Sequence, residues 1–395
     1  MKSEWRKVNL GDVCDLIPGF AFKSKDFGSY PTKVVKIGDI QPPRVAIDCL
    51  EGVNLSSYSP NRLEKYLVTK GDFVLAMTGA TIGKLGRILA DKPAYINQRV
   101  LRFKPKENVD WNFIYYVVNT KDFSGFVYNH IDSETAQPNI SAGTLATFSF
   151  SIPPLPIQRK IASILSALDD KIETNNTICR NLEEQAIALY KSRLIDSIPF
   201  ERIEDSHEKT TGWRIGTVDD VVEFLDSRRV PLSKSQREKM EKKYPYYGAT
   251  ELMDYVDNYL FDGTFLLLGE DGTVQDENGY PILQYVWGKF WVNNHAHVLT
   301  GKGKWSIELL YLLFANTKVS SVVTGAVQPK ISQNRLKTVP VVIPPNPILE
   351  NLSALITPLF AKRRQLSDEN HRLASMRDAL IPKIMCGEID LSTII

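Results

Sequence analysis

A chain of 395 residues exceeds what one ordinary hydrophobic core accommodates and should divide into at least two domains. Its 43% hydrophobic and 10% aromatic content fits packed globular domains and excludes a largely disordered chain. A formal net charge of +2 excludes a general nucleic-acid coat, and four scattered cysteines without a CxxC pair exclude a disulfide framework or a cysteine-based zinc site.

The opening residues, Met1-Lys2-Ser3-Glu4-Trp5-Arg6, lack the apolar run of a secretory signal, and Phe265-Leu266-Leu267-Leu268 is too short to cross a bilayer. With Cys14, Cys49, Cys179 and Cys386 unpaired in pattern, a reducing cytoplasm is the expected location. In chain order, Leu10 to Ile17, Val34 to Ile40, Asp72 to Met77 and Ala94 to Phe103 carry β-formers between Gly, Pro and Asn breakers and read as strands. Trp111 to Val118 reads as a helix. Between Lys84 and Lys106 seven basic residues face the single acid Asp91, and between Arg228 and Lys243 seven face Glu238 and Glu241. Two basic patches on a nearly neutral chain suit a protein that touches phosphates in two places; solvated surface is the plainer account.

Ile152-Pro153-Pro154 then marks a boundary, because Pro-Pro can start a helix but cannot continue a strand ladder. Beyond it Ile161, Leu165, Leu168, Ile172, Asn175, Cys179, Leu182, Ala186 and Leu189 recur at alternating spacings of four and three. That is the seam of a coiled coil.

The whole pattern then returns. Trp5-Arg6 is echoed by Trp213-Arg214, Gly11-Asp12-Val13 by Asp219-Asp220-Val221, and Gly71-Asp72-Phe73-Val74-Leu75 by Gly263-Thr264-Phe265-Leu266-Leu267. Tyr95-Ile96-Asn97-Gln98 is answered by Trp291-Val292-Asn293-Asn294, and Gln137-Pro138-Asn139-Ile140-Ser141 by Gln328-Pro329-Lys330-Ile331-Ser332. Trp305 to Phe314 takes the place of the first helix, and Ile152-Pro153-Pro154 recurs as Ile343-Pro344-Pro345, 191 residues on. Adding 191 to the first stripe gives Leu352, Ile356, Leu359, Arg363, Leu366, Asn370, Leu373, Arg377 and Leu380, a second seam with polar interruptions. Echoes in one order along both halves indicate internal duplication. Helices of roughly 35–40 residues would be on the order of 50–60 Å long. Two such seams would pack antiparallel, with Asn175 and Asn370 setting register, while Pro358 should kink the second helix or delay its start. The fold class is α+β: two mainly-β domains with short helices, separated by two long antiparallel coiled-coil helices, in a pseudo-two-fold repeat.

No catalytic set emerges. Gly79-Ala80-Thr81-Ile82-Gly83-Lys84 has three residues between its glycines and Leu85 where a magnesium-binding hydroxyl should stand, so a hairpin turn with a lysine is the better reading. Asp226 with Glu241 and Lys243 imitates a nuclease pattern, but Ser233 to Lys243 has no strand periodicity to align the carboxylates. Asn294-His295-Ala296-His297 offers two imidazoles on one strand face and no visible third ligand. No metal site is expected.

Several segments resemble the specificity subunits of Type I restriction–modification systems, over essentially the whole chain. They are Ile152-Pro153-Pro154-Leu155-Pro156-Ile157-Gln158-Arg159-Lys160-Ile161-Ala162, Tyr246-Tyr247-Gly248-Ala249-Thr250, Gly288 to Leu299, and Ala379-Leu380-Ile381-Pro382-Lys383-Ile384-Met385-Cys386-Gly387-Glu388-Ile389. The second junction, Pro345-Asn346-Pro347-Ile348-Leu349-Glu350, lacks the Gln-Arg pair of the first. The resemblance implies a non-catalytic reader of double-stranded DNA: target-recognition domain 1 at 1–152, a conserved helix at 153–200, target-recognition domain 2 at 201–344 and a second helix at 345–395. It implies two modification (methyltransferase) subunits docked on the helices, restriction subunits joining through them, and S-adenosylmethionine bound by the methyltransferases, with no cofactor in this chain. A rod of that length sets two readers about one helical turn, ~34 Å, apart on a duplex.

The residues expected to contact DNA are Thr78, Thr81, Lys84, Arg87, Gln98 and Arg99 in the first half. In the second they are Arg228, Arg229, Tyr247, Asn294, His295 and Lys330. Ile161, Leu165, Leu168, Ile172, Leu182, Leu352, Ile356, Leu359, Leu366 and Leu373 are expected to pack the helices together. The rival readings are a single-chain methyltransferase or nuclease, and a coiled-coil linker of domains that bind no DNA.

Overall fold

A computed structural model describes residues 5–132, 138–197, 212–325 and 327–389. Met1 to Glu4, Gln137 and the 198–200 end of the first expected helix lie outside the described residues. The chain forms two units, residues 1–172 with 371–395 and residues 173–370, so each long helix contributes one part to each unit.

In the first unit Arg6–Asn9 pairs antiparallel with Ser149–Ile152, closing the domain at the point where the long helix begins. A six-stranded sheet runs in the order Cys14–Pro18, Val100–Pro105, Phe73–Ala76, Leu85–Ile88, Arg44–Val45 and Ile40–Gln41. A four-stranded sheet runs Gly52–Val53, Phe27–Val35, Ala94–Ile96 and Leu67–Val68. Phe73, Leu75, Leu101 and Phe103 fill one face of the larger sheet against the helix Trp111–Val118, while Val74, Ala76 and Val100 fill the other. That helix has the bounds its sequence predicts, because Asp110 caps it by accepting from Phe113 N–H at 2.9 Å.

Three expected strands are corrected. Leu10 to Ile17 is a helical turn, Leu10–Val13, followed by the strand Cys14–Pro18. Asn9 and Asp12 form a capping box there, and Thr217 with Asp220 repeats it before Val218–Val221. Ala94 to Phe103 breaks into Ala94–Ile96 and Val100–Pro105 around a turn in which Val100 N–H donates to Asn97 C=O at 2.8 Å. Val34 to Ile40 likewise leaves the strand at Val35 and becomes the 3-10 turn Ile37–Asp39.

The second unit repeats the closure, Arg214–Thr217 against Pro340–Ile343, and has one six-stranded sheet: Val222–Phe224, Ala296–Gly301, Phe261–Gly269, Leu283–Val292, Tyr244–Tyr247 and Leu252–Val256. Gly263 and Gly288 face each other across the central pair, both at positive φ (134° and 78°), where two long strands bend together. The helix Ile307–Ala315, capped by Ser306, covers the sheet as its counterpart does in the first unit.

The long helices are Leu155–Tyr190 and Asn346–Met385. The second runs through Pro358 from its first turn, so its start is not delayed. In the first unit Ile161 and Leu165 share a core with Ile381 and Ile384, and in the second Ala186 and Tyr190 share one with Leu352, Ile356 and Phe360, an antiparallel pairing in both. Leu366 is buried, whereas Leu168, Ile172, Leu182, Leu359 and Leu373 are half-buried. The polar interruptions are matched across the seam. Asn175 Nδ2 donates to Asn370 Oδ1 at 2.9 Å, and Arg363 pairs with Glu183 at 3.2 Å. Gln158 of the first junction is buried, accepting from Asp110 N–H and donating to Pro153 C=O. The residue 191 further on, Leu349, is buried too, so the missing Gln at the second junction is a change of internal packing.

Candidate nucleic-acid interface

Equivalent backbone bonds build one edge in each unit. In the first, the hairpin between Phe73–Ala76 and Leu85–Ile88 is closed by Gly83 N–H to Ala76 C=O at 2.9 Å and turns through a 3-10 segment, Gly79–Thr81. Met77 N–H donates to Arg99 C=O, Gly79 N–H to Pro138 C=O, and Ile140 N–H to Met77 C=O. In the second, Glu270 N–H donates to His295 C=O, Gly272 N–H to Pro329 C=O, and Ile331 N–H to Glu270 C=O. These bonds equate Met77 with Glu270, Arg99 with His295 and Asn139 with Lys330. They also place Phe73 opposite Leu266 in the repeat, one residue along from the match the sequence suggests.

The edge of the first unit gathers Thr78, Thr81, Lys84, Gln98 and Arg99. Thr78 is buried and bridges Asn139, Thr81 Oγ1 donates to Thr78 C=O at 3.3 Å, and Lys84, Gln98 and Arg99 are exposed. Arg87 does not join them. It lies on the sheet face under the helix Trp111–Val118, with Nη2 donating to Asn112 Oδ1 at 3.0 Å and its guanidinium 3.9 Å from the Tyr115 ring centroid.

The edge of the second unit gathers Asn294, His295 and Lys330, and beneath them sits a network with no counterpart among the described residues of the first unit. Arg229 Nη1 donates to Glu270 Oε2 and Ala296 C=O, both at 2.7 Å, and to Asn294 C=O at 3.3 Å, while Nη2 stands 3.5 Å from Asp226 Oδ2. Lys330 Nζ lies 3.1 Å from Asp271 and 3.3 Å from Glu270, and its bond to Asp271 holds the ammonium pKa above the ordinary lysine value. His295 Nδ1 is 3.3 Å from Asp271 Oδ2. Buried His297 faces Asp226 Oδ2 with Nδ1 (2.6 Å) and Ile331 C=O with Nε2 (2.8 Å). Asn293 braces the turn through His295 N–H to Asn293 Oδ1 at 2.8 Å, and Tyr247 C=O accepts from Asn293 N–H at 3.0 Å. Burial raises the Tyr247 hydroxyl pKa. Arg228 is turned aside, to Leu260 C=O and the Phe261 ring.

Two chemical alternatives can be tested against this geometry. Asp226, Glu270 and His297 put three ligand atoms within 4.8 Å of one another. The Arg229 guanidinium already lies against both carboxylates and His297 Nε2 is spent on a carbonyl, so the donor set fits an internal ion network better than a metal. The carboxylates of the nuclease-like pattern are not brought together: Asp226 serves His297 and Val298 N–H, while exposed Glu241 pairs with Lys243. No described helix is long and apolar enough to cross a membrane.

Sequence reasoning missed Asn139, Glu270 and Asp271 at these edges, and weighed Asp226 and His297 only for catalytic or metal roles. The 191-residue offset that singles out Lys330 also points to Asn139. The acids carry little local signal, since apart from Arg229, three residues from Asp226, these partners lie 24 to 72 residues away.

The family model of the Type I restriction modification DNA specificity domain matches residues 2–184 and again 210–367. The chain is 26% identical over 338 residues to the Type I restriction enzyme MjaIX specificity subunit of Methanocaldococcus jannaschii, spanning 80% of this chain and 77% of that protein. It is 27% identical over 201 residues to the Type I restriction enzyme HindI specificity subunit of Haemophilus influenzae, spanning 50% of this chain and 42% of that protein. The solved S subunit of a Type I restriction-modification system from M. genitalium shares the fold, with a TM-score of 0.55 at 16% identity over 98% of this chain and 97% of that one.

Proposed function

Because the chain belongs to the family of the Type I restriction modification DNA specificity domain, with one match in each half, we propose that it is the non-catalytic specificity subunit of such a system and reads a bipartite, asymmetric DNA site. Each unit takes one half-site through the edge described above, target-recognition domain 1 spanning 1–152 and domain 2 spanning 201–344. The helices, 153–200 and 345–395, dock two modification subunits, which carry S-adenosylmethionine and recruit the restriction subunits in the cytoplasm. This chain supplies no cofactor site.

The observation that carries the reading is one backbone edge repeated with different side chains. Thr78, Lys84, Gln98, Arg99 and Asn139 stand at the first, and Asp271, Asn294, His295 and Lys330 at the second. Phosphates position such an edge through its cations, and Gln, Asn and Thr groups read base edges. Unlike side chains on a common frame specify unlike half-sites. Methylome sequencing of a host expressing the chain with its methyltransferase subunit tests this. A two-part motif with different halves is expected; a palindrome, or methylation by the chain alone, would overturn it.

A further inference from the structure

Asp169 bonds to two other elements at once. Its Oδ2 accepts from the Tyr116 hydroxyl at 2.6 Å, and its Oδ1 accepts from Arg377 Nη1 at 2.6 Å. Tyr116 belongs to the domain helix Trp111–Val118, Asp169 to the first long helix and Arg377 to the second. In the second unit Glu183 does the same. It accepts from the Tyr311 hydroxyl of Ile307–Ala315 with Oε1 and pairs through Oε2 with Arg363 Nη2 at 3.2 Å.

The duplication does not account for this match. Adding 191 to Asp169 gives Phe360, and subtracting 191 from Arg377 gives Ala186, so the second triad is not a copy of the first. Copying would also exchange the partners, whereas in both units the acid stands on the first long helix and the arginine on the second. Stability alone gives no reason for the coincidence. A half-buried ion pair is seldom worth more than well-packed apolar residues in its place, which Phe360 and Ala186 show to be available. What hydrogen-bonded charges add is direction, since their lengths and angles are fixed as apolar contact is not.

We propose that Asp169 and Glu183 are orientation clamps, each fixing the rotation of its β domain on the helix pair and so setting how many base pairs the protein accepts between its half-sites. They are positioning residues, and the proposal rests on the bipartite reading above. Methylome sequencing in a host that supplies the methyltransferase subunit tests it with Asp169→Asn, Tyr116→Phe, Glu183→Gln and Tyr311→Phe. Both half-site sequences should stay the same. Methylation at sites with a spacer one base pair longer or shorter should rise about tenfold relative to the cognate spacer, the factor that one charged hydrogen bond carries.

Tyr116→Phe removes one hydroxyl and keeps the packed ring, so it reads out even if a charge substitution fails to fold. Asp169→Glu, which retains the acceptor, should restore part of the spacer preference. A single unchanged spacer in folded Tyr116→Phe and Tyr311→Phe protein, or an altered half-site sequence, overturns the proposal. If the unsubstituted protein gives no bipartite motif, the functional reading itself falls, and that control shows it separately.

Discussion

Lys84, Gln98 and Arg99 stand exposed at the edge of the first unit with no side-chain ion pair among the described residues, whereas Lys330 and His295 at the second are held by Asp271. The backbone bonds beneath are the same: Met77 to Arg99 in one, Glu270 to His295 in the other. The first edge is an open cationic surface; on the function proposed above, its side chains would give up rotamer entropy on binding DNA. The second carries its own counter-charges, with Asp226, Glu270 and Asp271 set against Arg229 and Lys330 and Asp226 bonded to His297. Duplication supplied one frame, and the electrostatics of recognition diverged on it.

Breaking the network gives the largest effect expected. Arg229→Ala takes from Asp226 its paired cation, leaves Glu270 with Lys330 alone and removes a donor from two carbonyls, and should destabilise the second unit by about 3–5 kcal/mol. Arg99→Ala should move stability by no more than about 0.5 kcal/mol, because its exposed side chain has no ion pair among the described residues. Urea unfolding of both variants compares them, and equal losses would dissolve the contrast. On DNA, Gln98→Ala and Asn294→Ala should each cost about 1–3 kcal/mol and relax one position of one half-site, leaving the other half intact. Titrations of the complex with the methyltransferase subunit on variant duplexes would show it. Lys84→Ala and Arg99→Ala should each lower the salt dependence of binding by about one phosphate contact without changing the preferred sequence. A sequence change on losing either would make it a base reader instead.

Most of the frame is legible because it rests on local periodicity. The heptads locate both long helices, and the Pro-Pro pairs fall just before Leu155 and Asn346, where they begin. Leu10 was misread as strand because hydropathy alone ignores the Asn9–Asp12 capping box, a pattern that is present in the sequence. The edges were half legible: Lys84, Gln98, Arg99, Asn294, His295 and Lys330 do come to equivalent places. Arg87 and Arg229 were not separable from them by residue type. What turns them inward is Asn112 and Tyr115 in one case and Glu270 and Ala296 in the other, 25 to 67 residues away. The interruptions Arg363 and Arg377 looked like defects in one helix. Their meaning appears only with Glu183 and Asp169 across the seam.

An effect smaller than the loss of Arg229 separates the units by pH. Cys14 is 1% exposed, and burial pushes its thiol from the ordinary 9.0 up to about 12, with Asp15 raising it further and Lys106 and the Lys104 backbone opposing. Its counterpart 208 residues on is Val222, also buried and without a proton to lose. A folded-state pKa raised in this way contributes stability that is whole below about 9 and is lost as pH rises toward about 12, because the unfolded thiol ionises first. At pH 10 the loss should be about 1 kcal/mol, confined to the first unit. The buried tyrosines of both units, Tyr115 and Tyr116 in one, Tyr285 and Tyr311 in the other, are all raised as well; unfolded they ionise from about 10, so they too cost stability at the top of this window, and the comparison with a Cys14 variant that keeps them isolates the thiol. Cys14→Val gives the first unit the residue of the second. Denaturant midpoints measured from pH 8 to 10 should fall less steeply in that variant than in the unsubstituted protein. Parallel slopes would show that the thiol ionises freely in the folded chain, and that the strand start at Cys14 is less firmly packed than its twin at Val222.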